Sequence, residues 1–175
     1  MDRRLQGTAL VAVVPADRAV IRRVSLALEA RLRRLFDASF RKYVRVLHGP
    51  PSRDRVGGRL PLVAVHLFDI HLTEHARIGK PWELRAMKGD LRGLRLDYQF
   101  TAWTEEALDE QVLLDRIRND MDLDRFLEIP EGDGGEPLRL GVSPKPSLKF
   151  ENAVSFWNSM GWPPKVSLQY SVKSP

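Results

Sequence analysis

Four histidines, at positions 48, 66, 71 and 75, are the first places to look for chemistry in this chain. His71 and His75 stand four apart, a spacing that suits two metal ligands on one helix face. They fall instead where a strand pattern runs out into an irregular segment, and no HExxH arrangement surrounds them. Exposed strand-end histidines are therefore the expectation, and no metal site is assigned. There is no cysteine, which removes thiolate ligands, disulfides and cysteine nucleophiles together. GxSxG, P-loop and GxGxxG patterns are absent, and Gly57-Gly58 reads as hairpin flexibility rather than a phosphate cradle. Carboxylates are plentiful, but they cluster on a solvated helix and an acidic loop. General acid–base work needs a carboxylate whose surroundings shift its pKa, and the sequence marks none. No catalytic residue, cofactor or small-molecule substrate is expected.

The charge is unevenly placed along the 175 residues. Residues 1–45 hold eleven Arg and Lys against four acids, a net +7, whereas residues 105–136 hold twelve acids against three arginines, a net −9. A basic arm for nucleic acid would give the first segment. Opposite faces meeting between neighbouring copies of one subunit would give both. The aromatic residues Phe68, Tyr98, Phe100 and Tyr170 fall on strand faces expected to be buried, and the acidic segment would repel a duplex. Both points weigh against nucleic acid, which stays as the alternative, with Arg22, Arg31 and Arg34 as its phosphate contacts.

The elements that would carry these residues follow from periodicity. Ile21, Val24, Leu28, Leu32, Leu35 and Phe36 recur at steps of three and four, predicting an amphipathic helix from about Ala16 to Ala38 after Pro15. Residues 49–58 (GPPSRDRVGG) read as a loop. Leu60 to Leu72 is apolar on both faces, with Leu62, Ala64, His66, Phe68 and Ile70 on one side and Val63, Val65 and Leu67 on the other, as in a central strand. Residues 73–93 are irregular and basic. Leu94, Leu96, Tyr98, Phe100 and Ala102 then alternate with Arg95, Asp97, Gln99 and Thr101, predicting one buried and one polar face. Thr104 is the expected N-cap of a helix carried to about Asp120 by Leu108, Val112, Leu113, Ile117 and Met121. Residues 131–137 (EGDGGEP) read as an acidic turn or loop, and a short strand at Leu138–Val142 follows. A helix near Phe150–Met160 stops at Gly161, and a last strand carries Val166, Leu168, Tyr170 and Val172 on one face.

The fold expected is thus α/β (α+β), one domain over residues 1–175. It has a mixed β-sheet of about four strands packed by the N-terminal amphipathic helix and two further helices. The apolar run from Ala9 to Pro15 is too short to span a bilayer, and Asp17, Arg18, Arg22 and Arg23 follow it without a clean cleavage site. A cytoplasmic protein with no membrane insertion is expected.

Three segments read in order resemble one family: LPLVAVHLFDIHLTEHAR at 60–77, LRGLRLDYQFTAWTEEALDEQVLLDRI at 91–117 and LKFENAVSFWNSMGWPPKVSLQYSV at 148–172. The features are Phe68-Asp69-Ile70, Leu94-Arg95-Leu96-Asp97-Tyr98, Thr101-Ala102-Trp103, Trp157 and Ser167-Leu168-Gln169-Tyr170. Together the set resembles the small cap, or tail-terminator, proteins of phage-tail-like contractile injection systems. The start of the chain and the linker before the second strand depart from that pattern. A chain without the C-terminal extension that some members carry is expected. The resemblance implies a homo-hexameric ring that closes the distal end of an inner tube and its contractile sheath, with tube protein and sheath protein as partners; the terminator of a contractile phage is the related alternative. Partner contacts are expected at Arg22, Arg31 and Arg34 of the first helix and at Lys80, Arg85, Lys88 and Arg92 of the basic loop, with Trp103 and Trp157 in packing roles.

Overall fold

The computed structural model describes residues 20–37, 43–58, 60–72, 93–130, 137–146 and 150–174. Within them the chain forms helix α1 (Val20–Asp37), strand β1 (Arg45–His48), short helix α2 (Arg53–Val56), strands β2 (Leu62–Leu72) and β3 (Leu94–Trp103), helix α3 (Ala107–Leu123), strands β4 (Phe126–Ile129) and β5 (Leu138–Pro144), helix α4 (Phe150–Ser159) and strand β6 (Leu168–Lys173). The six strands make one sheet in the order β1-β2-β3-β6-β5-β4. Only β1 and β2 pair in parallel; the other neighbours are antiparallel. The architecture is mixed α+β, as the sequence predicts, with two more strands than the four expected. Both extra strands, β1 and β4, are four residues long and lie at the sheet edges. Four residues are too few for an alternation pattern to declare itself. The presumed loop at 49–58 also contains a helical turn, α2, which buries Val56.

The main core lies between α1, α3 and one sheet face. Val20, Val24, Leu28, Leu32 and Phe36 descend one side of α1 at helical spacing and meet Leu113, Leu114, Ile117 and Met121 of α3 over Val63, Val65, Leu96, Tyr98, Phe100, Tyr170 and Val172. Fully burying each large aliphatic side chain here contributes about 1.5–3 kcal/mol. The α3 stripe differs from the expected one: Leu114 is inside, whereas Leu108 and Val112 face solvent. Thr104 does not cap this helix. Its hydroxyl donates to the carbonyl of Glu106, which takes the N-cap place without a side-chain capping bond.

A second, smaller core covers the opposite face, where Leu62, Ala64 and Trp103 pack on Val56 of α2 and Trp157 of α4. Trp103 and Trp157 meet edge to face at 6.2 Å, which gives both the packing role expected of them. Helix α4 ends as its sequence specifies, with Gly161 at φ +77°, a left-handed position that glycine takes without steric cost.

Candidate interaction surfaces

Arg31, expected as a partner contact, lies inside its own subunit. It is 6% exposed. Its Nε meets Asp120 Oδ2 at 2.5 Å; its Nη1 donates to the carbonyl of Phe126 at 2.9 Å; its Nη2 donates to the carbonyls of Asp120 and Asp124 at 2.7 Å. The residue sits on the core side of α1 because Val24, Leu28 and position 31 share one face. One guanidinium thereby ties α1 to the C-terminal end of α3 and the start of β4. Fork geometry makes this possible where an ammonium would serve fewer acceptors.

Arg22 and Arg34 do lie on the outer face, at one helical stripe with Leu26 and Ala30. Two other arginines of α1 are used internally. Arg23 donates to the carbonyl of Pro130 at 2.6 Å, and Arg33 binds Glu29 and Tyr43. Glu29 also meets His48 Nε2 at 2.7 Å. Burial opposes ionisation of Glu29, but the hydrogen bonds from Arg33 and His48 outweigh it and hold its pKa below the ordinary value. Lys80, Arg85, Lys88, Arg92 and His75 lie outside the described residues.

The polar face of β3 is not solvated. Asp97, Gln99 and Thr101 are all buried. A bulge in β2 between Leu67 and Asp69 explains part of the arrangement. It turns Ile70 to the Leu96 side, away from the Leu62 face assigned to it from the alternation, and brings Asp69 and His71 opposite Asp97 and Arg95. Asp97 then collects His71 Nε2 at 2.9 Å, Ser171 Oγ at 2.6 Å, Arg95 Nε at 3.3 Å and the ammonium of Lys145. Burial alone would raise the Asp97 pKa. The hydrogen bonds from Lys145 and Ser171 and the charges of Lys145 and Arg95 prevail, so it is held below the ordinary carboxylate value.

Ligand atoms of Asp69, His71 and Asp97 lie within 4.8 Å of one another, close enough to share a cation. Lys145 and Arg95 already supply that positive charge, so a dication there would have to displace an ammonium. The arrangement is a charge-balanced lock between β2, β3, β5 and β6. Nearby, burial and the charge of Arg55 lower the pKa of His66, whose ring stacks on Phe156 at 5.8 Å.

An apolar ridge on α3, flanked by charges of both signs, is also open. Leu108 (73% exposed), Val112 and Leu123 (89% exposed) project from α3. With Leu35 of α1 they line a groove of about 830 Å³ that also holds Asp115 and Asp120. Aliphatic side chains this exposed at helical spacing mark a contact surface more than a folding need. The periodicity of the sequence places Leu108 and Val112 on the core stripe, and the structure turns both outward. Tyr98, Phe100 and Tyr170, by contrast, are buried and offer no platform for stacking bases.

No family model matches the chain, and no curated protein does so either. Its α+β fold, one mixed sheet with helices on both faces, is shared with two solved structures. One is the sheath/tube terminator of an extracellular contractile injection system, PVC, in its extended state; the TM-score is 0.56 at 19% identity, over 86% of this chain and 55% of that one. The other is the tube-terminating cap of the anti-feeding prophage, with a TM-score of 0.53 at 19% identity, over 87% of this chain and 53% of that one. The chain thus spans about half the length of the terminators whose fold it shares.

Proposed function

We propose that this chain is a structural subunit that ends a tube-and-sheath assembly of the contractile-injection type. The observation that carries the reading is the fold likeness over 86% of the chain to a protein that terminates both sheath and tube. The ordered sequence features of the family run through the same strands β2, β3 and β6. In this reading the subunit closes as a cyclic homo-hexamer, assembled in the cytoplasm, and presents separate surfaces to tube and sheath. It performs no catalysis. In support of that, Asp97, the buried carboxylate with a shifted pKa, is spent on Lys145, Arg95 and Ser171. Arg22 and Arg34, with the α3 ridge, are the partner contacts among the described residues.

The test is length control. Purified tube and sheath proteins polymerise with and without this chain, and electron microscopy scores filament length and end density. A cap produces shorter, uniform filaments with extra density at one end. Filaments of unchanged length with bare ends, at saturating protein, would refute the proposal.

A further inference from the structure

Strand β4 stands last in the strand order, and a last strand ordinarily offers its unpaired peptide groups to any second strand. The Val142 N–H donates to the Arg125 carbonyl at 2.8 Å, which fixes the alternation. Arg125, Leu127 and Ile129 turn their peptide groups to β5, so Phe126, Glu128 and Pro130 turn theirs to the outer flank. The outward groups at both ends of β4 are already taken. The Phe126 N–H donates to Asp124 Oδ1 at 3.1 Å, and the Phe126 carbonyl accepts from Arg31 Nη1 at 2.9 Å. The Pro130 carbonyl accepts from Arg23 Nη2 at 2.6 Å, and proline has no N–H to offer.

The spacings of helix and strand match. Arg23 and Arg31 are eight residues apart on α1, a rise of about 12 Å. Phe126 and Pro130 are four residues apart on extended chain, a run of about 13 Å. Because Arg31 reaches the start of β4 and Arg23 its end, helix and strand run in opposite senses with one arginine at each end. Few strand residues, a proline, a helix alongside and charged side chains on the outward groups are four separate ways of blunting an edge. β4, four residues long, has them all.

We infer that α1 is an edge guard: its Arg23 and Arg31, together with Asp124, keep β4 from pairing with the β4 of a second copy. Copies of the chain are thereby left to meet through other surfaces. The inference stands on hydrogen bonds within one subunit and does not depend on the terminator reading.

Two variants strip the guard. Arg23→Ala with Arg31→Met removes the donors from both carbonyls. Arg23→Ala with Asp124→Ala frees the Pro130 carbonyl and the Phe126 N–H while Arg31 keeps its bonds, so it carries the test if the first variant does not fold. Light scattering is run over a range of concentrations, at temperatures where circular dichroism shows native structure. Each folded variant should show a larger, concentration-dependent mass than the wild type. Amide exchange at Glu128, whose N–H faces the same flank, should slow at least about 10-fold on association. Arg23→Lys with Asp124→Asn keeps a donor and an acceptor in place and should retain the wild-type mass. Three results would each overturn the inference: folded guard-stripped variants with the wild-type mass at every concentration, association without slowed exchange at Glu128, or equal association in the Lys and Asn variant.

Discussion

Replacing Arg31 by Met removes a guanidinium and keeps most of its apolar stem. The wild-type side chain satisfies the Asp120 carboxylate and the carbonyls of Asp120, Asp124 and Phe126. Its loss strands a carboxylate and three main-chain acceptors. Removing one partner of a buried ion pair costs about 3–5 kcal/mol. The Asp120 side chain is 28% exposed and rehydrates in part, so the lower end, about 3 kcal/mol, is the expected loss. For a chain of this size that corresponds to a fall in Tm of about 6–12 °C. Arg31→Lys keeps the charge but serves fewer acceptors and should lose about half as much. A double-mutant cycle with Asp120→Asn should return a coupling of about 1–3 kcal/mol. Urea denaturation at pH 7 measures the wild type and all four variants. If Arg31→Met costs less than about 1 kcal/mol and instead abolishes assembly, the clamp is refuted and Arg31 is a partner contact after all.

Three further outcomes follow from the same geometry. Asp97→Asn should destabilise the fold by about 2–3 kcal/mol at pH 7, because Lys145 and Arg95 lose their shared counter-charge. The folded pKa of Asp97 lies below the unfolded value of 3.8, so its contribution is present above that pH and lost as the pH falls through the folded pKa; the two proteins should converge in acid-denaturation midpoints. The folded pKa of His66 is lowered from 6.5, which favours the neutral ring in the fold, so stability should drop as the pH falls below 6.5 and His66→Phe should flatten that limb. Leu108→Ser and Leu123→Ser should change stability by no more than about 0.5 kcal/mol, since both side chains face solvent, yet reduce association measured by light scattering with tube and sheath proteins.

The sequence was most readable where period and burial coincide. The α1 stripe from Val24 to Phe36, the core face of β3 and the Gly161 stop all stand where their patterns place them. It was least readable where one residue changes a face. The extra residue in β2 turns Ile70 and His71 over, and no local alternation foretells a bulge whose reason lies in its partner strand. Asp97 and Gln99 read as solvent-facing because alternation reports polarity, not burial. A polar face can be interior when Lys145, just past β5, and Ser171 of β6 arrive from over forty residues away to satisfy it. The same limit misplaced Arg31. An arginine beside an apolar stripe is ordinarily a solvated charge, and only the position of three carbonyls from α3 and β4 makes it a clamp.

That clamp changes what the charge asymmetry can mean. Part of the attraction between the basic first segment and the acidic third is already used within one subunit, between Arg31 and Asp120. Arg23 spends its Nη2 on the carbonyl of Pro130, and Arg33 is held by Glu29 of its own helix. The exposed charges left for neighbours are fewer than the +7 and −9 of the sequence suggest. A contact between copies in the proposed ring would therefore not rest on charge alone. Exposed ion pairs contribute about 0–1 kcal/mol each, and their main effect is on encounter rate and orientation. The apolar share must come from elsewhere, and Leu108, Val112 and Leu123 form a ridge of the kind that can supply it. Salt should consequently slow assembly more than it weakens the finished contact, whereas truncating the ridge should weaken the contact at any ionic strength.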